Sequence, residues 1–187
     1  IGMNRLIVSA LLLFCLLPIM AQGEQAVVAT DSSAVRHQVL LQTSKGDMVV
    51  ELYNDTPKHR DNFLKLVREG YYNGNLWHRV IANFMIQTGD STTRHAQPGE
   101  RVGDRGLSYT IPAEIVFPKY FHKRGALAAA REGDKANPER RSSAAQFYIV
   151  YGSPFSEVGL DRIQQRLDER TDSMVKLTPA IREVYRL

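Results

Sequence analysis

β-forming apolar residues are interspersed with polar ones over residues 38–43 (Q-V-L-L-Q-T) and again over 48–53 (M-V-V-E-L-Y). Ser44, Lys45, Gly46 and Asp47 lie between them and carry turn formers, so the two runs predict a β-hairpin. The period then changes. Phe63, Leu66 and Val67 fall at i, i+3 and i+4, the stripe of a helix that Thr56-Pro57 opens as N-cap and first turn and Gly70 stops. Lys58, His59, Arg60 and Asp61 are assigned to its solvated face. Tyr71 to Asn75 reads as a turn into a second hairpin, residues 77–81 and 84–88, joined at Ala82-Asn83 and closed by Gly89-Asp90. A long polar loop over 91–105 follows, then a short alanine-rich strand over 125–131 and a charged loop over 132–143. Residues 144–151 give the clearest strand, with Gln146 and Tyr148 on one face and Phe147 and Ile149 on the core face. Two helices are predicted beyond it, one with the stripe Leu160, Ile163, Leu167 and one opened by Thr178-Pro179 with Ile181, Val184, Tyr185. Each has one apolar face and should pack on something.

The second hairpin has an unusual mix of faces. Met85 and Gln87 point one way and Phe84, Ile86 and Thr88 the other, while Arg79 lies opposite His78 and Val80. A guanidinium and a carboxamide set among Met, Phe and Ile suit a shallow apolar pocket with a few placed polar groups. A half-solvated hairpin with Arg79 and Gln87 on its wet side would give the same pattern.

At 187 residues the chain can bury one sizeable core. Its formal charge of +4 comes from 24 basic and 20 acidic residues well mixed along the chain, not from the dense basic patch that nucleic-acid binding needs. Residues 1–21 have the layout of a secretory signal peptide: a positive start at Met3-Asn4-Arg5, an apolar run over 6–20 and a small residue, Ala21. The run is short for a membrane span, so membrane contact is expected only transiently and the mature protein is expected to be secreted or periplasmic, an uncleaved N-terminal anchor being the alternative. Residues 22–36 read as a flexible leader. Cys15, the sole cysteine, falls in the apolar run, which leaves no disulfide and no cysteine nucleophile in the mature chain. His37, His59, His78, His95 and His122 have no metal-ligand spacing, and His78 is read as a hydrogen-bonded structural residue. Ser142 and Ser143 lack a nucleophile-elbow context, and Gly103 to Gly106 make no phosphate cradle.

The run W-H-R-V-I-A-N-F-M-I-Q-T-G-D from Trp77 to Asp90 resembles the signature of cyclophilin-type peptidyl-prolyl cis–trans isomerases, with Trp77 in place of Phe. T-P-K-H-R-D-N-F from Thr56, E-G-Y-Y-N-G-N from Glu69 and A-A-Q-F-Y-I-V from Ala144 add to it in the family's order, so the resemblance covers Gln38 to Gly152. Ile111-Pro112-Ala113-Glu114 is similar to the family's segment before its second lid. The resemblance implies a mainly β fold, an antiparallel cyclophilin-like β-barrel with capping helices. It implies rotation about X-Pro bonds of proline-containing polypeptides, with no metal or other cofactor, by a protein expected to be monomeric. By the same resemblance Arg79 is the catalytic arginine, with Phe84 and Gln87 counted beside it; Phe84, Met85 and Tyr148 line the proline pocket, and Gln87 holds the substrate backbone or orients Arg79. Ala130, Arg131 and Gln146 border the groove, Arg131 standing where asparagine is common. Tyr148 stands where Phe is common, so its hydroxyl needs a partner if buried.

Beyond Gly152 the motifs stop. The domain is expected to run over 37–187, with 153–187 a helical insertion and the barrel's closing strands missing from a C-terminally incomplete chain; helices that replace those strands are the alternative. A barrel lacking strands has open edges. A non-catalytic peptide-binding module or an inactive fragment is therefore the other functional reading.

Overall fold

A computed structural model describes residues 35–186; the run read as a signal peptide, Cys15 and most of the stretch read as a leader lie outside the described residues. Strands β1 (Gln38–Thr43) and β2 (Gly46–Glu51) form the predicted first hairpin, pairing Val39 with Val50 and Leu40 with Val49. β2 starts and ends two residues earlier than the apolar run suggests. Val39 is buried, whereas Leu40 and Val49 share the exposed face.

Helix α1 (Pro57–Arg68) buries Phe63, Leu64 and Leu66. Thr56 sits at its N-cap but makes no side-chain cap bond. Glu114, distant in sequence, takes that role: its carboxylate accepts the amides of Lys58 at 3.0 Å and His59 at 2.9 Å. Donors at a helix N-terminus favour such an anion. His59 is thus not merely solvated. Its Nδ1 lies 2.7 Å from Glu114 Oε2 and its Nε2 3.0 Å from Ser142 Oγ, so the ring ties α1 to the segments on both sides.

Strands β3 (Arg79–Ile81) and β4 (Met85–Thr88) make the second hairpin. With β6 (Leu127–Ala129) and β8 (Phe147–Val150) they form an antiparallel sheet in the order β3-β4-β8-β6. A two-residue pair, β5 (Thr110–Ile111) with β7 (Ser142–Ser143), is too short to leave a periodic signal. Among the described residues the strands fall into three separate sheets, not one closed ring. Phe147 is the hub of the core. Its ring meets Phe63 edge-on at 5.3 Å, Tyr72 at 5.2 Å and Trp77 at 5.9 Å, joining the sheet to α1. A cavity of about 410 Å³ on this inner side is lined by Val50, Leu52, Phe63, Leu127 and Phe147, where the first hairpin stands apart from the larger sheet.

Helices α2 (Glu157–Thr171) and α3 (Pro179–Arg186) follow as predicted. Ser156 Oγ caps α2 through Gly159 N, and Leu160 and Ile181 are buried. Gln164 clasps the connection, donating to Val175 O at 3.0 Å and accepting Leu177 N at 2.7 Å. The pair docks through Tyr185, whose ring packs against Phe121 at 5.5 Å and Phe155 at 6.0 Å.

Candidate active site

In the antiparallel register Arg79 is the partner of Gln87, Gln87 of Tyr148, and Tyr148 of Ala128. Side chains that are direct cross-strand partners project to the same side, so Arg79, Gln87 and Tyr148 form a row across the face opposite the Phe147 core. Arg79 Nη1 donates to Gln87 Oε1 at 3.0 Å. The same guanidinium lies 5.9 Å from the centroid of the Phe84 ring, at the edge of cation–π range.

Phe84 stands on the hairpin turn, which Asn83 closes with a left-handed φ of 59°. Asparagine tolerates that region better than most residues. Phe84 O accepts both Tyr151 N at 2.9 Å and Gly152 N at 3.0 Å, which fixes the turn to the end of β8. The ring itself is 51% exposed, while Met85 beside it is buried. One large apolar surface is therefore open to a ligand next to a cation whose hydrogen-bond partner is a neutral amide.

Tyr148 Oη lies 2.8 Å from His122 Nε2, with the two rings nearly parallel. Burial pushes the Tyr148 phenol up, an effect that the positive charge of Arg131 partly offsets. Burial pushes the His122 imidazole down, and Arg131 adds to that shift. Both groups thus stay neutral near pH 7. Ala130 N donates to Gln146 O at 2.9 Å, which brings the end of β6 alongside Gln146. Arg131 turns onto its own loop, bonding Asp134 Oδ1 at 2.5 Å and Glu132 O at 3.0 Å.

The loop after Asp90 is far more ordered than its composition suggests. It opens with a 3₁₀ turn, Ser91–His95, capped by Asp90 through Thr92 N. Gly103, at φ +96°, packs on the His78 ring, where an added Cβ would come within 2.6 Å of Cδ2. His78 does not behave as the hydrogen-bonded residue expected. Both ring nitrogens are buried and neither meets a partner in full hydrogen-bond geometry, and burial pushes the imidazole down against the opposing pull of Asp90 and of the nearby Gln146 amide. Gly89, at φ +104°, lets the chain just after β4 pass against the bend before β8; a Cβ there would lie 2.3 Å from Ala145 O.

Arg79, Phe84, Gln87, Gln146 and Tyr148 are thereby linked by contact or strand pairing, with Met85 and Ala130 adjacent to them. His122 was not singled out from sequence. The one available signal was that a buried Tyr148 hydroxyl needs a polar partner. Among the described residues no group of three His, Cys, Asp or Glu side chains could hold a metal ion, and no helix is long and apolar enough to cross a membrane.

An antiparallel sheet that sets an arginine beside an exposed phenylalanine is what the resemblance to cyclophilins implies. The sequence matches the model of the family "Cyclophilin type peptidyl-prolyl cis-trans isomerase/CLD" over residues 38–172, through α2 and past the Gly152 limit of the short motifs. The chain belongs to the cyclophilin-type peptidyl-prolyl cis–trans isomerase family. A probable peptidyl-prolyl cis-trans isomerase of Brucella suis biovar 1 is 40% identical over 131 residues, 67% of this chain and 63% of that protein. Peptidyl-prolyl cis-trans isomerase 10 of Caenorhabditis elegans is 38% identical over 114 residues, 60% of this chain and 64% of that protein. The chain thus spans a little under two thirds of the length of these curated relatives. A cyclophilin-type isomerase of Cryptosporidium parvum superposes with a TM-score of 0.54 at 32% identity, over 64% of this chain and 69% of that one. The same Cryptosporidium protein has been solved in the presence of the dipeptide Ala-Pro.

Proposed function

We propose that this protein catalyses cis–trans isomerisation of X-Pro peptide bonds in polypeptides outside the cytoplasm, acting as a monomer. The observation that carries the reading is Arg79, held by Gln87 and set 5.9 Å from the open face of Phe84. Rotation about the amide has a barrier of about 18–20 kcal/mol because the C–N bond has partial double-bond character. No covalent bond is made or broken, so neither a nucleophile nor a cofactor is called for. As the amide twists, its nitrogen lone pair localises and becomes a better acceptor. A fixed guanidinium near that nitrogen then stabilises the twisted state more than the planar one. In this reading Phe84, Met85 and Tyr148 hold the prolyl ring, and Gln87 keeps Arg79 aimed. Ala130, Arg131 and Gln146 border the neighbouring substrate residues. The Ala-Pro dipeptide used with the Cryptosporidium neighbour supports a proline-containing ligand.

The test is a protease-coupled assay on an Ala-Pro tetrapeptide, with Arg79→Ala beside the parent. Rates for the parent well above the uncatalysed one, lost in the variant, support the reading; equal rates for parent and variant refute it. Measurable peptide binding without turnover would make the domain a binding module. The extracytoplasmic part rests on the signal-like pattern of residues 1–21. N-terminal sequencing of exported protein tests it, cleavage near Ala21 being expected. Sedimentation velocity tests the monomer.

A further inference from the structure

The polar groups of the site continue in one directed line back to a buried carboxylate. Asp90 is 1% exposed. Its Oδ1 accepts Thr92 N at 2.9 Å and Thr92 Oγ1 at 2.6 Å, while Oδ2 accepts Gly103 N at 2.9 Å and Arg105 N at 3.3 Å. Burial alone would raise its pKa, but these donors outweigh it and hold the carboxyl below the usual Asp range. The carbonyls of the same two residues, Gly103 and Arg105, accept Gln146 Nε2 at 3.0 and 2.8 Å. Both hydrogens of that amide are then used. Gln146 offers only its oxygen onward, and Gln87 Nε2 donates to it at 2.8 Å. Gln87 in turn presents its oxygen to Arg79 Nη1.

A carboxamide has a donor end and an acceptor end, so each link fixes the direction of the next. Reversing either glutamine would set an NH₂ group against another donor, in the last step against the guanidinium itself. The Gly103 and Arg105 carbonyls can only accept, which sets the direction of the line, and Asp90 holds the backbone segment that carries them in place.

We propose that Asp90 is a positioning residue for isomerisation. It acts through the backbone of Gly103 and Arg105 and the carboxamides of Gln146 and Gln87, and sets where Arg79 presents its charge. The proposal rests on the reading of Arg79 given above and adds a residue that touches no substrate.

Asp90→Asn keeps one oxygen for Thr92 but replaces the other with a donor, so it cannot accept the Gly103 and Arg105 amides. The variant is expected to lose about tenfold in kcat with KM within about twofold, short of the roughly 100-fold that a 1 Å misplacement can cost. Gln146→Glu, which keeps the shape but loses both donor hydrogens, is expected to lower kcat likewise, while its KM is free to change because Gln146 also borders the groove. Thr92→Ala removes a bond to the opposite Asp90 oxygen and is expected to leave kcat at the parental value, which separates the capping role from the line to Arg79. The ¹⁵N signals of the Arg79 guanidinium and the Gln87 amide should move in Asp90→Asn and Gln146→Glu but not in Thr92→Ala. A folded Asp90→Asn with parental kcat and an unmoved Arg79 signal overturns the proposal, as does a Thr92→Ala loss equal to that of Asp90→Asn. If Asp90→Asn does not fold, Gln146→Glu decides by the Arg79 signal, which overturns the proposal if it is unmoved in the folded variant. A parent without isomerase activity would refute the proposed function, and the ¹⁵N signals would still decide whether Asp90 directs Arg79.

Discussion

Tyr148 Oη and His122 Nε2 lie 2.8 Å apart, so the phenol at the floor of the candidate groove is tied to a ring from the segment on which the C-terminal helices pack. The two groups share one hydrogen bond, and its direction follows the imidazole tautomer. Protonating His122 would remove its acceptor and put a charge where burial disfavours one.

A pH dependence follows with a definite sign. The folded-state pKa of His122 is pushed below its ordinary value of 6.5, first by burial and then by Arg131. The unfolded chain therefore binds the proton more readily. Stability is full above about pH 6.5 and falls as the pH drops from there through the folded value. Urea denaturation between pH 7.5 and 5 should show this decline, and His122→Gln should reduce it, the remainder belonging to His78, whose imidazole burial also pushes down.

Arg79→Ala is expected to lower kcat by about 100- to 1,000-fold, the usual loss when one transition-state donor is removed. Arg79→Lys should recover only part, because an ammonium cannot reproduce the guanidinium fork that bonds Gln87. Circular dichroism should be unchanged in both, since Arg79 is an exposed residue on an edge strand.

Phe147→Ala is expected to cost about 3–5 kcal/mol of stability, the range for deleting a buried aromatic ring. The ring joins Phe63, Tyr72 and Trp77 across the core, and Phe147 is only 5% exposed. A denaturant midpoint within error of the parent would show that the core does not depend on it.

Glu114→Ala removes the acceptor for two amides at the start of α1 and the partner of His59. A loss of about 1.5–3 kcal/mol is expected, as for a hydrogen bond to a charged group. The Glu114 carboxyl is held below its ordinary range, because the His59 ring and the two amides outweigh the effect of burial. Its contribution is present above the unfolded value near 4.5 and is lost as the pH falls through the folded one. Thermal melts of parent and variant should therefore converge toward acid pH.

The elements that make large, periodic demands on sequence are legible in it. The Phe63, Leu66, Val67 stripe marked α1, and the 160-163-167 and 181-184-185 spacings marked α2 and α3. Alternation assigned Phe147 to the core and Tyr148 to the opposite face, which the register bears out. What escaped was set by partners distant in the chain. The β5–β7 pair spans two residues a side and shows no period. Thr56 has the chemistry of a cap, yet the bonds come from Glu114, more than fifty positions away. His59 looked solvated for the same reason, since neither Glu114 nor Ser142 is near it in sequence. The order of the loop after Asp90 depends on a buried carboxylate and on Gln146, neither of which local composition reveals.

The close approach of Gly89 to Ala145 has a further consequence for redesign. Peptide planes in contact act as a fixed spacer, because their separation is set by atomic radii and not by any rotamer. Residues on the open side, such as Arg131, can be exchanged while the joint behind them keeps its dimension. A substitution at Gly89 would instead pry the two chain segments apart, and no change made on the open side could bring them back.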